Sequence, residues 1–185
     1  VLGLADVSAW NREKPQTVPH AKRASHDKES GCWLRGMEQA AETLSKAVSV
    51  TAVSDRESDI YEDFARRPET VHLLIRSAFN RRLETGEKLF AHADALAEAS
   101  RFTVNIPAAP GKAARQATLA VRFGPVVLLR PRSGLPKADL ARLPASVRLS
   151  LVDIREVDAA ADVTPIHWRL LTSHAVNDIA MARKM

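Results

Sequence analysis

The stretch VSVTAVSDRESDIY, residues 48–61, decides how this chain is read. Val48, Val50 and Ala52 alternate with Ser49, Thr51 and Val53, the two-residue period of a strand whose successive side chains face opposite ways. Asp55 stands where the alternation ends, and Ile60 and Phe64, one helical turn apart, mark an amphipathic helix directly behind it. The segment predicts a strand that delivers a carboxylate to its end. A carboxylate on such a rigid terminus suits divalent-metal binding. The same spacing fits a helix cap: Ser54 with Glu57 has the form of a capping box, and Asp55 or Ser58 has the chemistry to cap. On spacing alone the cap is the favoured reading.

Upstream of that strand, Trp33, Met37, Ala40, Leu44 and Ala47 recur at steps of three and four, one apolar stripe on a helix of about four turns. Before it lie a polar loop over residues 10–28, with Pro15 and Pro19, and an opening apolar run, VLGLADV, expected to be a strand. Downstream, VHLLIRS (residues 71–77) reads as another strand, and residues 89–96 as a short helix. Strand, helix, strand, helix, strand implies crossover connections and parallel pairing.

From Arg101 the alternation dominates: Phe102, Val104 and Ile106; Leu119, Val121 and Phe123; Val147, Leu149 and Leu151; Ile166, Trp168 and Leu170. Turn signals stand at residues 107–112 and at Gly124-Pro125, and a proline-marked loop covers residues 131–144. This half reads as antiparallel β structure attached to an α/β core.

A chain of 185 residues with 45% hydrophobic and 26% charged residues can bury a core and is not a disordered tail. Its net charge of +5 favours a polyanionic partner. Cys32 is the only cysteine, which excludes an internal disulfide and points to a reducing, intracellular home. No apolar run has the length of a membrane span, so no membrane partner is expected. The six histidines show no HxxxH or HxH spacing for zinc, and no serine has a GxSxG context.

Four segments carry a family resemblance. DRESDIYE (residues 55–62) is similar to the sequence around the second catalytic aspartate of the insertion sequence four family of bacterial transposases, which includes the transposon five enzyme. DKESGCWL (residues 27–34) resembles the KESGKWL-type segment that precedes the same strand in that family. LLIRSAFNRRLETGEKLFAHADAL, from Leu73, is similar to the strand, basic turn and helix that follow it. WRLLTSHAV (residues 168–176) resembles the WLLLTS stretch near the end of the family's β insertion. The segments occur in the family's order across nearly the whole chain.

The resemblance implies a partial ribonuclease H-like α/β core with a β-rich antiparallel insertion. Residues 1–99 would be the core segment, 100–173 the insertion, and 174–185 the start of a helix returning to the core. It implies a cut-and-paste DNA transposase that binds transposon ends and target DNA and cleaves with two Mg2+ or Mn2+ ions, as a homodimer on paired ends in the bacterial cytoplasm, at the nucleoid. Asp55 would be the middle carboxylate of a DDE triad. Arg76 would face DNA; read alone, it is as well a solvated strand end or an ion-pair partner of Glu57 or Asp59. Arg81 and Arg82 would grip phosphates, or simply form a solvated basic turn. Trp168 would stack on a base flipped out of the duplex, whereas the alternation of Ile166, Trp168 and Leu170 equally describes a core tryptophan.

The family's first aspartate corresponds to sequence before Val1 and its glutamate to a helix beyond Met185, so the chain is expected to be a fragment that is inactive alone. Asp153 and Glu156, in a presumed insertion strand, are poorly placed to replace them. The rival expectation is a nucleic-acid-binding or scaffold module of the same fold without catalysis.

Overall fold

The computed structural model describes residues 31–185 together with Gly3, Leu4 and Val7. Most of the expected opening strand, the polar loop and the first half of the DKESGCWL segment lie outside the described residues. Within them, five short α-helices and one six-stranded mixed sheet form an α/β fold.

Helix α1 (Gly31–Thr43) leads through a turn to strand β1 (Val50–Ser54). A single 3-10 turn, Arg56–Ser58, and helix α2 (Tyr61–Arg66) cross over to strand β2 (Val71–Arg76), which pairs with β1 in parallel. Helix α3 (Leu89–Ala95), strand β3 (Ser100–Ile106), strand β4 (Arg115–Leu129), helix α4 (Lys137–Arg142), strand β5 (Ser146–Val157), strand β6 (His167–Thr172) and helix α5 (Ile179–Ala182) complete the order. In space the strands run β1-β2-β6-β5-β4-β3, and every pair beyond β1-β2 is antiparallel. The parallel unit expected from residues 48–77 and the antiparallel half expected from residue 101 onward are thus joined in one sheet, with β6 seated beside β2.

Each face of that sheet has its own core. Leu73 and Ile75 of β2, Leu171 of β6 and Leu149 and Leu151 of β5 point to one side and pack with Tyr61 and Phe64 of α2, Leu89 and Ala93 of α3, and Leu140 of α4. Leu74, Leu170, Val152 and Val121 point to the other, where α5 and Val176 cover them. Asp178 caps α5 by accepting from the Met181 backbone N–H at 2.7 Å.

Several expectations need correction. The amphipathic helix does not start directly behind Asp55: the 3-10 turn intervenes, and α2 has only six residues. The stripe is shorter than expected: α1 ends at Thr43, which leaves Leu44 and Ala47 beyond the helix and exposed, and of the five residues only Met37 is buried, Trp33, Met37, Ala40 and Leu44 lining an open groove of about 500 Å³ between α1 and β1. Gly124-Pro125 is not a turn. Strand β4 runs straight through it, Pro125 facing Ser150. The β3 partner ends opposite Val121, so Pro125 lies on an unpaired edge where its missing N–H is tolerated. A Cβ on Gly124 would come within 3.1 Å of Leu96, so the glycine there permits close packing rather than a turn. The loop expected at residues 131–144 holds α4, too short for periodicity to reveal. Among the described residues, no helix is long and apolar enough to cross a membrane.

Candidate functional site

Strand β1 pairs with β2 on one side only among the described residues, and its last residue, Ser54, stands opposite Ile75. One residue further on, Asp55 meets Arg76: guanidinium Nη1 and carboxylate Oδ1 lie 3.5 Å apart, with 70% of the aspartate side chain open to solvent. This settles the local alternatives left open for both residues. Asp55 precedes the 3-10 turn, yet its carboxylate makes no capping hydrogen bond. The turn is held instead by the Ser58 hydroxyl, which donates to the Asp55 carbonyl at 3.1 Å and is hydrogen-bonded to the Ser54 hydroxyl. Arg76 pairs with Asp55, not with Glu57 or Asp59. An exposed pair of this kind contributes at most about 1 kcal/mol, so the carboxylate is held in place without being consumed by the fold.

Trp168 belongs to the same face. Arg76 stands opposite Leu170 on β6, and Trp168 lies two residues from Leu170, which makes it a diagonal neighbour of Arg76 at roughly 7–8 Å between α-carbons. It is not a buried core residue: 43% of it is exposed, although Ile154 stands beside it on β5. Asp55, Arg76 and Trp168 therefore gather at one end of one face, beyond the C-terminal ends of the parallel strands. That end suits function because the strands fix the backbone while the side chains remain in water.

The basic turn behaves differently. Arg81 is turned inward, its side chain 11% exposed, and is bound by Asp59 through Nε at 2.9 Å and Nη2 at 2.6 Å. Its guanidinium lies between the Phe64 and Phe79 rings, 5.5 and 5.4 Å from their centres. The other Asp59 oxygen accepts from the backbone N–H groups of Ala78 at 2.7 Å and Phe79 at 2.9 Å. Asp59 is thus the organiser of the turn that follows β2, a role its sequence did not reveal. The only available signal was its place four residues after Asp55. Arg82 lies apart from this cluster, at the far edge of β4, where its carbonyl accepts from the Leu129 N–H.

The remaining acids have other work. The buried Asp153 is ringed by Arg122, Arg155, Arg169 and His167, on the sheet face opposite Trp168. Glu156 is clamped by Arg115, which with the Ile166 N–H holds its carboxyl below the usual range. Asp63 lines the groove under α1. Burial, with the neighbouring Glu62 charge adding to it, pushes the Asp63 carboxyl up to about 8, and its Oδ2 has no hydrogen-bond partner. Asp63 is therefore mostly uncharged near neutral pH.

Asp55 fits one ligand position of a divalent metal, being exposed, anchored and free of structural duty. A two-metal centre needs more carboxylates than this end of the sheet supplies. Among the described residues, no three His, Cys, Asp or Glu side chains form a group able to hold a metal ion. No protein-family model matches the sequence. The family resemblance rests on its four segments.

Proposed function

We propose that this chain is part of the catalytic core of a bacterial cut-and-paste DNA transposase, related to the insertion sequence four family, with a ribonuclease H-like core and a β-rich insertion. The observation that carries the reading is the gathering of Asp55, Arg76 and Trp168 on one face. Three residues spread over more than a hundred positions, each singled out by a different segment of the resemblance, are brought together in the fold with Arg76 between the other two.

In this reading Asp55 contributes one carboxylate to a site for Mg2+ or Mn2+, which would activate an attacking oxygen and stabilise a leaving one on DNA. The other two carboxylates come from flanking sequence. Arg76 neutralises Asp55 at rest and offers its guanidinium to a phosphate near the scissile bond. Trp168 presents a flat, sequence-indifferent face to a base lifted out of the duplex. Arg82 remains available as a phosphate contact, whereas Arg81 would first have to leave Asp59. The whole protein would act as a homodimer on paired transposon ends, capture target DNA and work in the bacterial cytoplasm.

The second reading, a nucleic-acid-binding or scaffold module without catalysis, rests on one observation: among the described residues, Asp55 joins no group of acidic, His or Cys side chains able to hold a metal ion. The test is strand cleavage of transposon-end DNA in magnesium. The isolated chain is expected to bind DNA without cutting it, and the protein that includes the flanking segments to cut. Efficient cleavage by the isolated chain would overturn the reading, and so would Asp55→Ala in the longer protein leaving cleavage intact.

A further inference from the structure

On the sheet face opposite Trp168, the end of β4 and helix α4 enclose a groove of about 550 Å³, lined by Arg82, Arg130, Arg132 and Lys137 along with Leu140 and small apolar residues. Among the described residues, no carboxylate lines it. Glu84 and Asp139, the nearest acids in sequence, are outside the lining.

Its frame is rigid. Arg130 donates to the Leu140 carbonyl at 2.8 Å and the Leu143 carbonyl at 2.7 Å, tying α4 to the strand end. Tyr61 donates its hydroxyl to the Pro144 carbonyl at 3.0 Å, and Leu135, Leu140 and Leu143 are buried in the core. Upon that frame the side chains of Arg82, Arg132 and Lys137 have no hydrogen-bond or ion-pair partner among the described residues. Three neighbouring cations without a counter-charge among the described residues repel one another, and an anion spanning them relieves that repulsion.

We infer that this groove is a second nucleic-acid contact, a seat for the phosphate backbone distinct from the Asp55 face. Apart from its cations the lining is aliphatic. It has no aromatic ring to stack on a base and no amide or hydroxyl side chain to read a sugar, so it fits a sequence-independent backbone contact better than an oriented nucleotide pocket. The inference shares with the proposed function the premise that this chain binds DNA, and it shares Arg82, whereas Arg130, Arg132 and Lys137 belong to the groove alone.

The experiment is fluorescence anisotropy of the full chain with a duplex of arbitrary sequence, roughly thirty base pairs long, over a series of salt concentrations. It compares wild type with the combined Arg82→Gln, Arg132→Gln, Lys137→Gln variant. Each lost phosphate contact lowers the slope of log affinity against log salt by about 0.9, so the combined variant is expected to lose roughly 2–3 from the slope and at least about tenfold in affinity at moderate salt. Because the three side chains have no folded-state partners, its melting temperature should match wild type. If the combined variant does not fold, Arg132→Gln and Lys137→Gln, both exposed, are read singly, each lowering the slope by about 1.

An unchanged slope in folded variants overturns the groove and leaves the Asp55 reading standing. The converse outcome, binding that depends on the groove but not on Arg76 or Trp168, supports the groove and counts against that reading. Pyrophosphate is the second probe. If it binds the groove tightly and duplex DNA fails to displace it, the ligand is a small phosphate compound and the inference falls. Absence of DNA binding by the wild-type chain at low salt overturns both.

Discussion

Two aspartate-arginine pairs, their aspartates four residues apart in the chain, stand at the same end of the molecule and do opposite things. Asp55 and Arg76 meet loosely at 3.5 Å with the carboxylate in water, while Asp59 and Arg81 meet at 2.6 Å with the carboxylate buried and two backbone N–H groups also bound to it. The difference is whether the fold needs the carboxylate. Asp59 holds the turn after β2 closed and has no oxygen to spare, whereas Asp55 makes only the loose contact with Arg76 and leaves most of its carboxylate in water. A buried, fully partnered acid is a structural part. An exposed acid at a rigid strand end is an available ligand.

The comparison is broken most sharply by truncating its buried member. Asp59→Ala leaves the Ala78 and Phe79 N–H groups without an acceptor and the Arg81 guanidinium with only the residue 59 backbone carbonyl, and a loss of about 3–5 kcal/mol is expected in urea denaturation. A loss below about 1 kcal/mol would show that the turn does not depend on this carboxylate.

Asp63 adds a third case, an acid that is buried with its Oδ2 unpartnered. Its folded-state value, about 8, lies far above the ordinary 3.8. Between those two values the unfolded chain gives up the proton and the folded chain keeps it. Its favourable contribution is therefore complete below about pH 4 and is lost as the pH rises towards 8. Asp63→Asn is expected to flatten that decline and to raise stability near pH 7–8 by a few kcal/mol at most. Parallel pH-stability curves for the two proteins would contradict the assignment.

Trp168 sharpens the exposed side of the comparison. Trp168→Ala is expected to weaken binding of DNA carrying an unpaired base by about 1–3 kcal/mol, roughly tenfold to a hundredfold. Fully paired duplex should be affected less. Equal losses on both substrates would place the tryptophan outside base stacking. The smallest effect belongs to Asp55 itself: Asp55→Ala should change stability by under about 1 kcal/mol in the same denaturation assay.

Much of the architecture was legible in the sequence because it follows from period. The alternations at Phe102–Val104–Ile106, Val147–Leu149–Leu151 and Trp168–Leu170 all became strands, and the strand-helix-strand order before residue 77 became a parallel pair. What failed was punctuation. Gly124-Pro125 has turn chemistry but sits in a strand, since β4 is an edge at that point and Leu96 presses on the glycine. Helix α4 hid in a proline-marked loop because six residues show less than two turns of pattern.

At the site, spacing placed Asp55 and Arg76 correctly at strand ends but could not pair them, because pairing depends on register. It grouped Arg81 with Arg82 as one basic turn, although one is buried against Asp59 and the other lies beside β4. Neighbouring residues of like type share a sequence signal, and only burial separates their tasks.

The most direct test is cleavage of transposon-end DNA in magnesium by Asp55→Asn, made in the protein that carries this segment with its flanking sequence. Melting temperature and DNA affinity are measured on the same sample. The account predicts that cleavage disappears while both of the others stay at wild-type values. Cleavage at the wild-type rate would contradict it, leaving Asp55 as no more than the loose partner of Arg76.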